Sequence, residues 1–131
     1  MTEQPIYTPP AYTPPAVPGK VQAIAIITLI SGILNIIYGL TLTVLIVIGT
    51  IGVGLLCAPL TIAPSVLGIF EVIAGAKLMG TPGRKFKVQT IAIMEIIAII
   101  TGAVPSAVAG ILNLVFYNDL PTKQYIDSLP S

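Results

Sequence analysis

Two apolar blocks organise this chain. From Val21 to Ala76 it carries a single acidic or basic residue, Glu71. From Val88 to Tyr117 it again carries one, Glu95. Between them lies "KLMGTPGRKFK", where Gly, Pro and four cations break the pattern. A helix rises about 1.5 Å per residue, so about 20 apolar residues cross a bilayer. The first block is long enough for two such helices, with its break in the Gly- and Pro-containing stretch "GTIGVGLLCAPLTIAP". The pattern predicts helices near 21–47 and 60–79. In the second block "TGAVPSA" is the break, and helices are predicted near 88–103 and 105–118. These two are short for a full bilayer and need local thinning or protection by neighbours. The competing reading is one long helix kinked at Pro105, giving three spans and not four.

Outside the blocks the chain is polar. Residues 1–19 hold the tandem words "YTPPA" and "YTPPA". Each Pro fixes φ and lacks an N–H, so this tail reads as polyproline II or disordered. It suits either a docking peptide for a cytoplasmic partner or a stiff solvated spacer. Its acidic residue and prolines do not fit the basic start of a signal peptide. Residues 119–131 read as a polar cytoplasmic tail.

Composition agrees with a lipid-dissolved chain. Of 131 residues, 55% are hydrophobic and 8% charged, against roughly 45–50% and 25% in soluble domains. A soluble domain of this size could not bury so much apolar surface. The net charge of +1 gives no electrostatic case for a nucleic-acid partner. With no His and one cysteine, Cys57, no internal disulfide or Cys-based metal cage can form. Lys20, Lys77, Arg84, Lys85 and Lys87 all flank one set of helix ends, whereas the 49–59 connection has no charge. By the positive-inside rule both termini are cytoplasmic. Four spans place Lys123 inside as well. The expected location is the plasma (inner) membrane, crossed several times.

Parts of the sequence repeat. "KVQAIAIITLISGI" from Lys20 is echoed by "KVQTIAIMEIIAII" from Lys87, and "PSVLGIFEVI" from Pro64 by "PSAVAGILNLV" from Pro105. This order suggests a duplicated hairpin, its copies related about an axis along the membrane normal. A competing alignment pairs "GILN" at Gly32–Asn35 with "GILN" at Gly110–Asn113. The fold expected is all-α: an integral membrane four-helix bundle built from two related hairpins, spanning residues 20–118.

The polar residues inside the apolar blocks are the candidate site. Counted from the cytoplasmic ends, Thr28 and Glu95 lie about 12 Å deep, Glu71 about 13 Å and Asn113 about 8–9 Å. That places Thr28, Glu71, Glu95 and Asn113 in one layer, one per helix. Such side chains normally face the bundle interior or water. Two carboxyls in one layer repel if both are ionised, so one or both are expected to hold a proton. A protonated carboxyl can donate to its neighbours and lock the helices. The same layer suits a proton or cation relay, or a site for a cationic substrate. A third arrangement has Lys77 bend back to Glu71 or snorkel to the head groups. Asn35 and Asn113 can each bond across helices. No nucleophile has an activating base, and neither a phosphate loop nor a metal-ligand set is present. No catalytic residue, cofactor or metal is therefore expected.

The Pro-rich leader, the apolar helices and the polar ending "LNLVFYNDLPTKQY" together resemble small uncharacterised bacterial four-helix integral membrane proteins with a Pro-rich cytoplasmic tail. The resemblance implies no particular activity. Small four-helix drug exporters are similar in length only, because their essential glutamate is in the first helix, where this chain has Thr28. The function expected is non-enzymatic: an accessory or scaffold subunit packing against the lipid bilayer, other membrane proteins or itself. The alternative is a small transporter or channel with a proton- or cation-binding pair, Glu71 and Glu95.

Overall fold

A computed structural model describes residues 16–80 and 83–131. Most of the Pro-rich tail, residues 1–15, lies outside the described residues. Everything described is helix, turn or coil, without strands. The helices are α1 (Gly19–Gly49), α2 (Ala58–Met79), α3 (Val88–Ile97), α4 (Val104–Tyr117) and α5 (Leu120–Ser128). Short 3-10 segments precede α2 (Val53–Cys57) and follow α3 (Ala98–Thr101). Two stretches, Gly19–Gly49 and Val53–Met79, are long and apolar enough to cross a membrane.

Prolines and left-handed turns set the boundaries. α1 begins where the N–H groups of Val21 and Gln22 reach the Pro18 carbonyl; Pro18 itself has no N–H to offer a helix. At the other end the Thr50 hydroxyl donates to the Ile46 carbonyl (2.6 Å) and accepts the Gly54 N–H (2.6 Å). The chain then turns through Ile51 (φ 53°) and Gly52 (φ 86°). Glycine takes that conformation freely, whereas a β-branched residue is strained in it. Replacing Ile51 with Asn, which tolerates the left-handed region, is expected to gain about 1 kcal/mol. Thermal unfolding in detergent measures this.

The second break is a reversal and not a kink. Gly102 is left-handed (φ 83°) and ends the 3-10 segment. Pro105 then occupies the first turn of α4, where its missing N–H costs nothing. Beyond the turn, α4 runs back along α3: Gly110 meets Ala92 and Glu95. The kinked single helix considered above is therefore not what forms. Pro64, by contrast, sits inside α2. It leaves one carbonyl of the preceding turn without its usual donor.

Three antiparallel pairs hold the molecule together: α1 with α2, α3 with α4, and α1 with α4. α2 and α3 scarcely touch. Glycines permit the closest approaches. A Cβ on Gly32 would lie 2.6 Å from the Gly68 carbonyl oxygen, and one on Gly110 would lie 2.6 Å from that of Ala92. Gly39 similarly abuts Ser65. Where α1 starts and α2 ends, Val21, Ile24, Ala25, Leu78 and Val88 form an apolar core with Ile126.

Ile126 belongs to α5, so the polar C-terminal segment is not merely a tail. It folds back as a helix and closes this end of the molecule. Its links include Lys20–Asp119, Lys85–Asp127 (3.5 Å) and the Lys85 N–H to the Pro130 carbonyl (2.8 Å). The hydrogen bond from Lys20, with a lesser one from Thr122, holds the Asp119 carboxyl below its ordinary value of 3.8. A lowered carboxyl contributes stability above its unfolded value and loses it as pH falls through the folded one. Lys20→Met is therefore expected to lower Tm slightly at neutral pH, the exposed pair being weak. The difference from the unsubstituted chain should vanish below the lowered Asp119 value.

Candidate functional site

The interior of the helices is polar, and its polar groups form two clusters. In the first, the Asn35 Nδ2 donates to both oxygens of Glu71 (2.9 and 3.0 Å) and to the Ser106 Oγ (3.0 Å). In the second, the Asn113 Nδ2 donates to the Thr28 Oγ1 (3.0 Å) and to the Glu95 Oε2 (3.1 Å). All six side chains are buried, Glu71, Glu95 and Thr28 completely. Each cluster draws on three helices: α1, α2 and α4 in the first, and α1, α3 and α4 in the second.

The local sequence explains the likeness of the clusters. α1 contains "TLISGILN" (28–35) and α4 contains "SAVAGILN" (106–113). Each has a hydroxyl residue, a glycine four residues on and an asparagine three further. Positions four and seven residues apart share one helix face. The glycine admits the glutamate-bearing helix: Cβ atoms on Gly32 and Gly110 would each lie 2.9 Å from the Cβ of Glu71 and of Glu95, respectively. One turn on, the asparagine reaches that same glutamate. Because α1 and α4 run antiparallel, each asparagine also meets the hydroxyl of the other helix. The clusters are thus related by exchanging α1 with α4 and α2 with α3. This follows the GILN alignment. The Lys-Val-Gln likeness leaves no trace in these bonds, since Thr28 and Glu95 share one partner, Asn113.

The sites foreseen from sequence are distributed as follows. Thr28, Glu95 and Asn113 come together. Glu71 joins Asn35 and Ser106 and bonds to none of those three. Lys77 does not reach back to Glu71; it is exposed beside a groove. Lys20 and Lys85 are paired with acids of the C-terminal segment, while Arg84 and Lys87 are exposed. Asn35 bonds across helices as its place in an apolar run suggests. Ser106 carries no catalytic signal in the sequence, because a hydroxyl without a base has none. The repeated spacing to the GILN asparagine is the signal that points to it.

The two clusters differ in one respect. Both oxygens of Glu71 are bonded, whereas the Glu95 Oε1, the Asn113 Oδ1 and the Ser31 Oγ make no bond of good geometry, although the Ser31 hydroxyl lies beside both carboxyls. Ser31 lies on α1 between Thr28 and Asn35, on their face. Two of the three atoms are acceptors, and the third, the Ser31 hydroxyl, is a donor that can turn toward either carboxyl. Buried polar atoms without partners are uncommon, and here they gather around one carboxyl and its amide. A proton on Glu95, or a bridging donor, would complete the second cluster as the first is completed.

A separate polar rung lies farther along the first pair. The Thr43 hydroxyl donates to the Gly39 carbonyl (2.7 Å) and is within 2.9 Å of the Thr61 hydroxyl. Among the described residues, no three of Asp, Glu, His and Cys stand together as a metal-holding set. Comparison of the chain with models of protein families, with curated proteins and with solved structures returned no match.

Proposed function

We propose that the chain is a non-enzymatic integral membrane protein, a four-helix bundle with both termini cytoplasmic. It serves as an accessory or scaffold subunit that packs against other membrane components. The observation that carries this reading is a step in the architecture. α1 spans 31 residues and Val53–Met79 spans 27, whereas α3 and α4 span 10 and 14. Gly102, the turn between α3 and α4, lies against the Tyr38 hydroxyl, only about two-thirds of the way along α1. Beyond it the first pair continues uncovered and apolar. Val44 is 54% exposed, Leu45 64% and Ile48 73%.

That uncovered end fits another membrane protein's helix better than it fits water. Ile51, at the tip, is 94% exposed and strained, and backbone strain of this kind clusters at functional sites. The two polar clusters support the scaffold role, because interhelical amide–carboxyl bonds hold the bundle while its outer surface stays apolar. The Pro-rich leader supplies a second contact, to a cytoplasmic partner.

Purification of the full chain in mild detergent is expected to bring a stoichiometric membrane companion. Leu45→Trp, which fills the step, should release it without lowering Tm. A chain that purifies alone from its own membrane would overturn the scaffold reading.

The unpartnered oxygens at Glu95 favour a second reading, a small proton or cation transporter using Glu71 and Glu95. It requires pH-dependent flux into liposomes that Glu95→Gln abolishes while the fold is unchanged.

A further inference from the structure

We propose that the groove between α2 and α3 is a binding site for an anionic glycerophospholipid, with an acyl chain along its floor and the phosphate held by Lys77 and Arg84. The proposal rests on the membrane reading above. Because α2 and α3 scarcely touch, they leave an open groove of about 350 Å³. Leu67, Phe70, Ile73 and Ala74 of α2 line one side, and Ile91 and Met94 of α3 the other. None of these carries a charge, so the floor accepts a hydrocarbon chain and offers a polar ligand nothing.

The groove's mouth is different. Lys77 and Phe86 line it where α2 ends and α3 begins. The Arg84 N–H donates to the Lys77 carbonyl (2.9 Å), which brings a second cation beside the first. Lys87 follows immediately before α3. The molecule's ion pairs explain why these cations are available. Lys20 is engaged by Asp119 and Lys85 by Asp127. No ion pair among the described residues engages Lys77, Arg84 or Lys87. Lys77 and its neighbour Arg84, unpaired among the described residues, therefore stand at one end of an apolar groove, on the side where the cytoplasmic leaflet is expected. A ligand satisfying both halves has an anionic head and a hydrocarbon tail. Basic pockets between membrane helices hold such lipids elsewhere.

The test uses the full chain in a mild non-ionic detergent, with native mass spectrometry of bound lipid. Phosphatidylglycerol and phosphatidylcholine bearing identical acyl chains are supplied together. The expected result is retention of phosphatidylglycerol over phosphatidylcholine, reduced about tenfold or more by Lys77→Ala with Arg84→Ala. Ile73→Trp, which fills the groove from an exposed position, should reduce it similarly. Inorganic phosphate, a headgroup charge without chains, should not displace the lipid. Equal retention of the two lipids, indifference to either variant, or displacement by phosphate would each overturn the proposal. Alkaline extraction of the same membranes separates the two levels of inference. Release without detergent defeats the membrane reading, whereas firm association without lipid preference defeats only the lipid site.

Discussion

Replacing Gly32 with valine is expected to break the α1–α2 pair and cost about 3–5 kcal/mol. A Cβ at that position would lie 2.6 Å from the Gly68 carbonyl oxygen, 2.8 Å from the Val72 nitrogen and 2.9 Å from the Glu71 Cβ. Two of these atoms are backbone and the third is fixed to it, so no rotamer change relieves the clash. The helices must separate. Separation then stretches the bonds from Asn35 to Glu71, one turn away, and leaves buried polar groups without partners. Overpacking alone costs about 1–3 kcal/mol, and the strained hydrogen bonds add to it. The corresponding change at Gly110 meets the Ala92 oxygen at 2.6 Å and the Glu95 Cβ at 2.9 Å, so a similar loss is expected there. Gly49→Ala is the control. Nothing lies within 4 Å of its Cβ position, and Tm should move little. Circular dichroism and thermal unfolding in detergent measure all three. A Gly32→Val protein as stable as the control would refute the close packing.

The contrast between these glycines shows what the sequence revealed and what it concealed. Glu71, Glu95, Thr28 and Asn113 were conspicuous because each interrupts an apolar run, and a polar group in such a run must find a partner or water. Depth could be counted from the helix ends. Which helices face each other could not, since that depends on packing between segments distant in the chain. Counting depth places the four at one level. The antiparallel contact of α1 with α4 sorts their hydrogen bonds into two sets, with Ser31 beside both carboxyls. The words "TLISGILN" and "SAVAGILN" contain the geometry of both sets, whereas the longer Lys-Val-Gln likeness relates α1 to α3 and matches none of these bonds. The C-terminal segment was concealed for another reason. Its apolar residues Tyr125, Ile126 and Leu129 are few and set among polar ones, so only the presence of the core they cover identifies α5 as part of the fold.

The same chemical change at the two buried glutamates is expected to have different consequences. At Glu71, both carboxyl oxygens accept from the Asn35 amide. Glu71→Gln replaces one acceptor with an N–H group facing another N–H group, and Glu71→Leu removes both acceptors. The first should cost about 1–2 kcal/mol and the second about 2–3, the range for stranding a buried donor. At Glu95 only the Oε2 is bonded with good geometry, to Asn113, and the Ser31 hydroxyl is the other donor beside the carboxyl. Glu95→Gln keeps an oxygen for Asn113 and places an N–H where the Ser31 hydroxyl can accept it. It supplies the hydrogen that the second cluster lacks, so stability should be unchanged or slightly raised. Unfolding in detergent compares the three variants directly. Flux measurement then separates structure from transport at a site whose fold is intact. If Glu95→Gln is stable and still binds its companion, the second cluster is a lock that needs only a filled hydrogen bond. If it is stable but a pH-driven flux disappears, the exchangeable proton was the function, and the scaffold reading gives way. Equal destabilisation by glutamine at both positions would show that the two clusters are equivalent, and the asymmetry at Glu95 would then carry no functional meaning.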